Sequence, residues 1–242
     1  MKPSPPLINK RMIQINNLSK QYEEATVLTV EKLSIEKGEH FGLVGNNGAG
    51  KTTLFSLLLD LIKATTGTVK IKDIMVAKSE AWKKEVAAFV DDKFLIDYLT
   101  PEEYFIFIAQ LRKVDAKALK AFLQQFEAFF NDEILDQKKY LRDFSKGNQK
   151  KVGLAASFIG DPSIVILDEP FANLDPSSQI RLKAFLSSET NKDKTLLISS
   201  HDLNHVTDVC ERIVLLEKGN VIKDTPKSPK TLKELEAYFS GQ

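Results

Sequence analysis

Apolar positions along this chain switch between three spacings, and each spacing predicts a different element. From Met12 the pattern is β-like: Ile13 and Ile15, then Val27 to Val30, then Leu33 and Ile35. Phe41-Gly42-Leu43-Val44 is a short apolar run ending in glycine, which predicts a buried strand feeding a turn. Thr52 to Ile62 reads as a helix and Thr68 to Asp73 as a further strand. From Thr100 to about Phe130 the spacing becomes helical, through Tyr104, Phe107, Ile108 and Leu111, then Leu119, Phe122, Leu123 and Phe126. Thr100, Pro101 and Glu103 predict an N-cap, an N1 proline and a capping box. Eight of the 15 phenylalanines fall between Phe94 and Phe144, which predicts a helical subdomain with its own aromatic core. Beyond it, Ile164 to Leu167, Thr195 to Ile198 and Ile213 to Leu216 are continuous apolar runs, as in a parallel sheet covered on both faces. Helices are expected around Ile180 to Leu186 and Leu203 to Cys210. A polar loop from Thr225 to Pro229 should precede a last helix, Leu232 to Phe239.

Composition narrows the setting. The chain has 242 residues with 34 Lys+Arg against 33 Asp+Glu, a net charge of +1, which argues against direct nucleic-acid binding. A single cysteine, Cys210, excludes an intramolecular disulfide and fits a reducing compartment. The most apolar stretch, Leu54 to Ile62, is half the length of a membrane span and contains Asp60. The start, Met1-Lys2-Pro3-Ser4-Pro5-Pro6, lacks the apolar region of a secretory signal and reads as part of a flexible tail over residues 1–11. A cytoplasmic setting is expected.

The chemistry begins at Gly45-Asn46-Asn47-Gly48-Ala49-Gly50-Lys51-Thr52-Thr53, which fits G-x-x-x-x-G-K-[ST] between an expected strand and an expected helix. Such a loop turns successive backbone N–H groups toward phosphate oxygens. Lys51 neutralises the β- and γ-phosphates, the helix start adds its dipole, and Thr52 offers a hydroxyl to Mg²⁺. The run Ile164-Val165-Ile166-Leu167-Asp168-Glu169 supplies the matching carboxylates: Asp168 for Mg²⁺, through water, and Glu169 to polarise an attacking water.

These pieces, in this order, resemble the nucleotide-binding domain of ATP-binding cassette (ABC) transporters from about Met12 to Val221. The resemblance implies an α/β P-loop NTPase: a mainly parallel sheet flanked by helices, an N-terminal antiparallel β subdomain and a helical subdomain. It divides the chain into a core (residues 12–90 and 155–224), a helical subdomain (91–154) and a C-terminal tail with a helix (225–242). It implies that Tyr22 stacks on adenine. Phe144-Ser145-Lys146-Gly147-Asn148-Gln149 looks like the signature motif, in which Ser145 and Gly147 meet the γ-phosphate bound by the other subunit of a dimer. Asp175, in Ala172-Asn173-Leu174-Asp175-Pro176, resembles the D-loop residue, and His201 resembles the switch histidine on the γ-phosphate. His205 matches no family role and is expected at the surface.

Two departures stand out. Asp91, or Asp92 one residue on, takes the place of the usual Q-loop glutamine; a carboxylate keeps an oxygen for Mg²⁺ but adds negative charge. In the signature, Lys146 replaces a glycine and Asn148 a glutamine, as in single-domain ATPases serving export-type permeases. The resemblance thus implies a Mg²⁺-dependent ATPase at the cytoplasmic membrane face. It would work as a homodimer, or a heterodimer with a related ATPase, driving a separate transmembrane permease, with export ahead of import and membrane contact through the permease only. Two other readings stay open: a soluble ABC-type ATPase acting on ribosomes or DNA, and a nucleotide-binding regulator without turnover.

Overall fold

The computed structural model describes residues 11–240; of the expected N-terminal tail, only Arg11 falls among them. Ten strands are present among these residues: β1 (Arg11–Tyr22), β2 (Ala25–Glu36), β3 (His40–Val44), β4 (Thr66–Ile71), β5 (Ile74–Met75), β6 (Val86–Phe89), β7 (Ile164–Leu167), β8 (Thr195–Ser200), β9 (Arg212–Glu217) and β10 (Asn220–Pro226). They join in one sheet, ordered β5-β4-β1-β2-β10-β9-β3-β8-β7-β6. The half from β9 to β6 is parallel, and β1 pairs antiparallel with both β2 and β4. A single parallel bridge, Asn220 to Thr29, joins the two halves.

The continuous apolar runs are explained by the pleat. In β7, Ile164 and Ile166 face one buried cluster with Phe55, Leu58 and Leu197, whereas Val165 and Leu167 face a second with Leu196, Ile198 and Leu215. Each central strand thus buries both of its faces, so no polar alternation survives. Helix α1 (Lys51–Leu58) covers the first face. The second is covered by α5 (Lys146–Ala156), α6 (Pro176–Leu186), α7 (Leu203–Val209) and α8 (Pro229–Ser240).

Between β6 and α5 lie α2 (Pro101–Leu111), α3 (Ala116–Gln124) and α4 (Glu127–Phe130). The capping box forms: Glu103 N–H donates to Thr100 Oγ1 at 3.3 Å, and Thr100 N–H donates to Glu103 Oε2 at 2.8 Å. The aromatic core is shared with the rest of the molecule. Phe126 stands 5.1 Å from Phe122 and 5.8 Å from Phe130, but closest, 4.6 Å, to Phe185 of α6, which in turn meets Phe158 at 4.8 Å. Such ring pairs add about 0.5–1.5 kcal/mol beyond their buried area, so they bind these helices to the sheet side as well as to one another.

Elsewhere the structure corrects element ends. Helix α1 stops at Leu58, not Ile62, because Asp60 turns left-handed at φ 54° and Leu61 N–H closes on Ser56 O. Leu59 and Ile62 stay apolar because they still pack on the core, so hydrophobicity outlasts the helix. Thr225 and Pro226, expected in a loop, end strand β10, whose partly polar face alternates between exposed and half-buried.

Candidate functional site

The parallel strands deliver the reactive groups. Strands β3, β8 and β7 are neighbours, and their carboxyl ends release the phosphate loop, His201 and the Asp168-Glu169 pair side by side. This is where ligands sit in open parallel sheets.

The loop between β3 and α1 is shaped by its glycines. A Cβ at Gly45 would lie 2.3 Å from Leu216 O, so only glycine lets the loop leave β3 against β9. Gly50 adopts φ 104°, which turns the chain into α1. No side chain caps α1, so its first N–H groups are left for an anion. Asn46, Asn47 and Gly48 form the exposed crest, whereas Ala49 is buried and accepts a hydrogen bond from Gly219 N–H at 2.9 Å. Thr53 is half-buried on the first turn of α1.

Lys51 is 6% exposed and bends back into the loop, donating to Gly45 O at 2.6 Å and to Asn46 O at 3.3 Å. Its ammonium also stands 3.2 Å from Glu169 Oε1, a charge contact without hydrogen-bond alignment. Glu169 Oε2 accepts from His201 Nδ1 at 2.9 Å, which places the proton on Nδ1 and leaves Nε2 of the half-exposed ring free. Thr52 Oγ1 donates to Asp168 Oδ2 at 2.5 Å, and Ser199 Oγ donates to Asp168 Oδ1. Burial pushes the Asp168 carboxyl above the usual carboxylate range, against the hydrogen bonds from Ser199 and Thr52.

A hard divalent cation suits this donor set. Thr52 and Asp168 place a hydroxyl and a carboxylate together, and the buried charge on Asp168 lacks a directly bonded cation. Glu169 Oε1, buried without a hydrogen bond, is a further oxygen nearby. Mg²⁺ therefore fits the residues present.

Of the residues singled out from sequence, Lys51, Thr52, Asp168, Glu169 and His201 form one bonded cluster. Gly45 and Asn46 join it through the Lys51 ammonium, whereas Tyr22 and the residues of the later loops have their partners elsewhere. Tyr22 ends β1 with its ring half-exposed and Lys20 Nζ 4.5 Å above it. Ser145 is the N-cap of α5, its Oγ accepting from Asn148 N–H at 3.2 Å. A Cβ on Gly147 would lie 2.6 Å from Asn173 O, so the signature turn packs on the segment that leads to Asp175. Asp175 caps α6, accepting from Ser177 Oγ at 2.6 Å and from Ser178 N–H at 2.9 Å. Lys146 folds onto Gln149 Oε1 at 3.1 Å.

The two aspartates proposed for the Q-loop position, Asp91 and its alternative Asp92, behave differently. Asp91 accepts from Lys93 N–H at 2.9 Å and pairs with Lys93 Nζ at 2.9 Å. Burial works to raise its carboxyl, but the Lys93 contacts prevail and hold it below the ordinary value. Asp92 Oδ1 is buried without a hydrogen-bond partner, and burial pushes that carboxyl up against the pull of Lys150 and Lys146. His205, expected at the surface, is instead largely buried: its ring centroid lies 4.7 Å from that of Phe171, and desolvation lowers its pKa. Burying one ring face against α7's packing partner outweighs the polarity of imidazole there.

Sequence reasoning missed Ser199 and Lys150. Ser199 bridges the two carboxylate residues, donating to Asp168 and accepting from Glu169 N–H at 2.9 Å. A polar pair, Ser199-Ser200, ending an otherwise apolar strand was the available signal. Lys150 Nζ donates to Glu169 O at 2.9 Å, a contact with no local signature.

Comparisons with known proteins agree with this geometry. Residues 28–172 match the family model described as ABC transporter. An uncharacterized ABC transporter ATP-binding protein of Nostoc sp. is 34% identical over 78% of this chain, which spans 57% of that protein's length. One from Methanocaldococcus jannaschii is 32% identical, with 88% of this chain and 77% of the relative covered. A solved structure of the ATP-binding subunit of an ABC transporter superposes with a TM-score of 0.80 at 26% identity, covering 95% of this chain and 93% of the other. A glycine-shaped loop ending on an uncapped helix start, a hydroxyl–carboxylate pair beside it and these relatives converge: the chain belongs to the ABC transporter family, among its ATP-binding proteins.

Proposed function

We propose that this protein binds and hydrolyses ATP with Mg²⁺ as a head-to-tail dimer and drives a separate membrane permease from the cytoplasmic face. The observation that carries the reading is the bonded cluster of Lys51, Thr52, Asp168, Glu169 and His201 at adjacent strand ends.

ATP binding exchanges partners within that cluster. The β- and γ-phosphates take the Lys51 ammonium from Gly45 O and Asn46 O, and the open N–H groups of α1 turn to the same oxygens. Lys51 thereby relinquishes Glu169 Oε1, which is freed to accept a proton from the attacking water. His201, bonded through Nδ1 to Glu169, keeps Nε2 for the γ-phosphate. Thr52 and Asp168 would hold Mg²⁺, with Asp91 entering its shell only by leaving Lys93; the ion would neutralise charge on the phosphates. Tyr22 gives the adenine an exposed face to stack on.

Ser145 and Gly147, at the start of α5, have their contacts away from this chain's own cluster and suit the ATP of a second subunit, with Asp175 beside them at the interface. Permease docking is assigned to the helical region, residues 91–154. There a cavity of about 370 Å³, lined by Phe89, Asp91, Phe94, Tyr104, Ile108 and Leu111, adjoins exposed Phe94 and Leu111. No helix among the described residues is long and apolar enough to cross a membrane, which favours a permease on another chain or segment. Substrate and direction belong to that partner.

Glu169→Gln tests the reading. It keeps the shape of the side chain but cannot take the proton, so ATP with Mg²⁺ should hold the variant as a dimer in light scattering while turnover falls by about 10²–10⁴. A variant that stays monomeric at saturating ATP, or that hydrolyses normally, overturns it.

A further inference from the structure

We propose that Lys150 is a positioning residue for Glu169, and that through it helix α5 ties the signature turn to this chain's own catalytic carboxylate. The inference rests on the role given to Glu169 above.

Glu169 stands in a demanding conformation. Its φ is 47°, in the left-handed region that a residue with a Cβ avoids unless its surroundings hold it there. Three hydrogen bonds do so, one at its N–H and two at its C=O, the weaker of the latter from Ala172 N–H at 3.3 Å. Its N–H donates to Ser199 Oγ at 2.9 Å, and its C=O accepts from Lys150 Nζ at 2.9 Å. With the backbone pinned, the side chain spans from Lys51 at 3.2 Å to His201 at 2.9 Å. Loosening either clamp lets the residue relax and withdraws the carboxylate from the place where water must be oriented.

Lys150 is an unusual choice for such a clamp, because it is only 7% exposed. Burial lowers its pKa, and Asp92, Glu169, Asp168 and Asp91 offset that only in part. Asp92 gains from the arrangement, since its buried Oδ1 has no hydrogen bond and Lys150 offsets its charge. Lys150 therefore has two separable tasks: neutralising Asp92 through space, and holding the Glu169 carbonyl through a directed bond.

Its position on the helix adds a consequence. Ser145 caps the first turn of α5 and Lys150 follows five residues later, about 7.5 Å along the axis. A helix transmits displacement as a rigid element. An anion drawn to the signature turn by a second subunit thus acts about one and a half turns from the donor that sets Glu169. One chain's signature turn would in this way report the neighbouring site to its own catalytic residue.

Lys150→Met removes both tasks while keeping the stem. It should lower kcat at least about tenfold, as small misplacements of a catalytic group do, with KM for ATP and equilibrium ATP affinity in EDTA within about twofold of the parent. Adding Asp92→Asn removes the charge that Met leaves uncompensated. The double variant should regain its thermal unfolding midpoint yet remain slow relative to Asp92→Asn alone, and it serves as the deciding protein if Lys150→Met folds poorly. Wild-type kcat in Lys150→Met, or a double variant as fast as Asp92→Asn, overturns the inference, the second result reducing Lys150 to a counter-charge. Glu169→Gln run in parallel separates the two layers. If it turns over normally, the assignment of Glu169 fails; if it is inactive while Lys150→Met is normal, only the positioning role fails.

Discussion

Gly50 and Ser145 each precede a helix, α1 and α5, and each helix start can offer backbone N–H groups to an anion. Gly50 supplies no side-chain cap, so the N–H groups of α1 stay open, and the nearby Lys51 waits on loop carbonyls that a phosphate can replace. Ser145 caps its own helix through Asn148 N–H, and Gly147 is pressed against Asn173 O. The first start is poised for a ligand by this chain alone. The second already has one of its N–H groups, that of Asn148, taken by the Ser145 hydroxyl, so a ligand meets a partly capped start. Similar helix-start geometry thus leaves an uncapped, anion-ready end in one place and a partly capped one in the other.

Four substitutions probe that difference. Lys51→Ala should have the largest effect, lowering ATP affinity by about 2–5 kcal/mol in titration calorimetry, as loss of a buried charge partner does. An equal loss from Ser145→Ala in the monomer would break the comparison. Next, Gly147→Ala forces a Cβ to 2.6 Å from Asn173 O and should cost about 1–3 kcal/mol of stability in urea unfolding, as overpacking does. ATP affinity of the single chain should stay within about twofold, because the phosphate loop is a separate contact set. A collapse of affinity would show that the two helix starts are not independent.

Asp175→Ala should have the smallest effect, about 1 kcal/mol for a lost N-cap. The Ser177 and Ser178 hydroxyls and the Ser178 N–H hold the Asp175 carboxyl well below its ordinary value of 3.8. A depressed carboxyl stabilises the fold fully above that value and loses its contribution as the pH falls below it. The variant should therefore flatten the acid limb of the stability–pH curve and leave the neutral region displaced only by the cap; screening at this half-exposed site keeps the pH-dependent part small.

Reading the chain succeeded wherever the determining interactions are local. Thr100 and Glu103 are three residues apart, and their capping box formed as expected. The phosphate loop was legible because its glycines, lysine and threonine are contiguous and flanked by elements of opposite periodicity. Misreadings occurred where local pattern and packing part. Leu59 and Ile62 kept the apolar spacing of α1 after its backbone had turned away, since burial and helicity are separate demands. The polar strand β10 was placed by β9, its partner in an antiparallel hairpin, and the imidazole of His205 by Phe171, far from it in sequence.

By itself, then, the sequence determined where a glycine-rich loop joins a strand to a helix, which strands lie between two apolar layers, and that two adjacent acids, Asp91 and Asp92, follow β6. Tertiary structure decided how those segments act on one another. It set Ser199 between Asp168 and Glu169, left Asp92 without a hydrogen bond and brought Lys150 to the Glu169 backbone. Short-range patterns fix backbone geometry, because dihedral preferences and caps act over a few residues. Which buried polar atom finds which partner depends on strand order and helix docking, and those are settled only when the whole core closes.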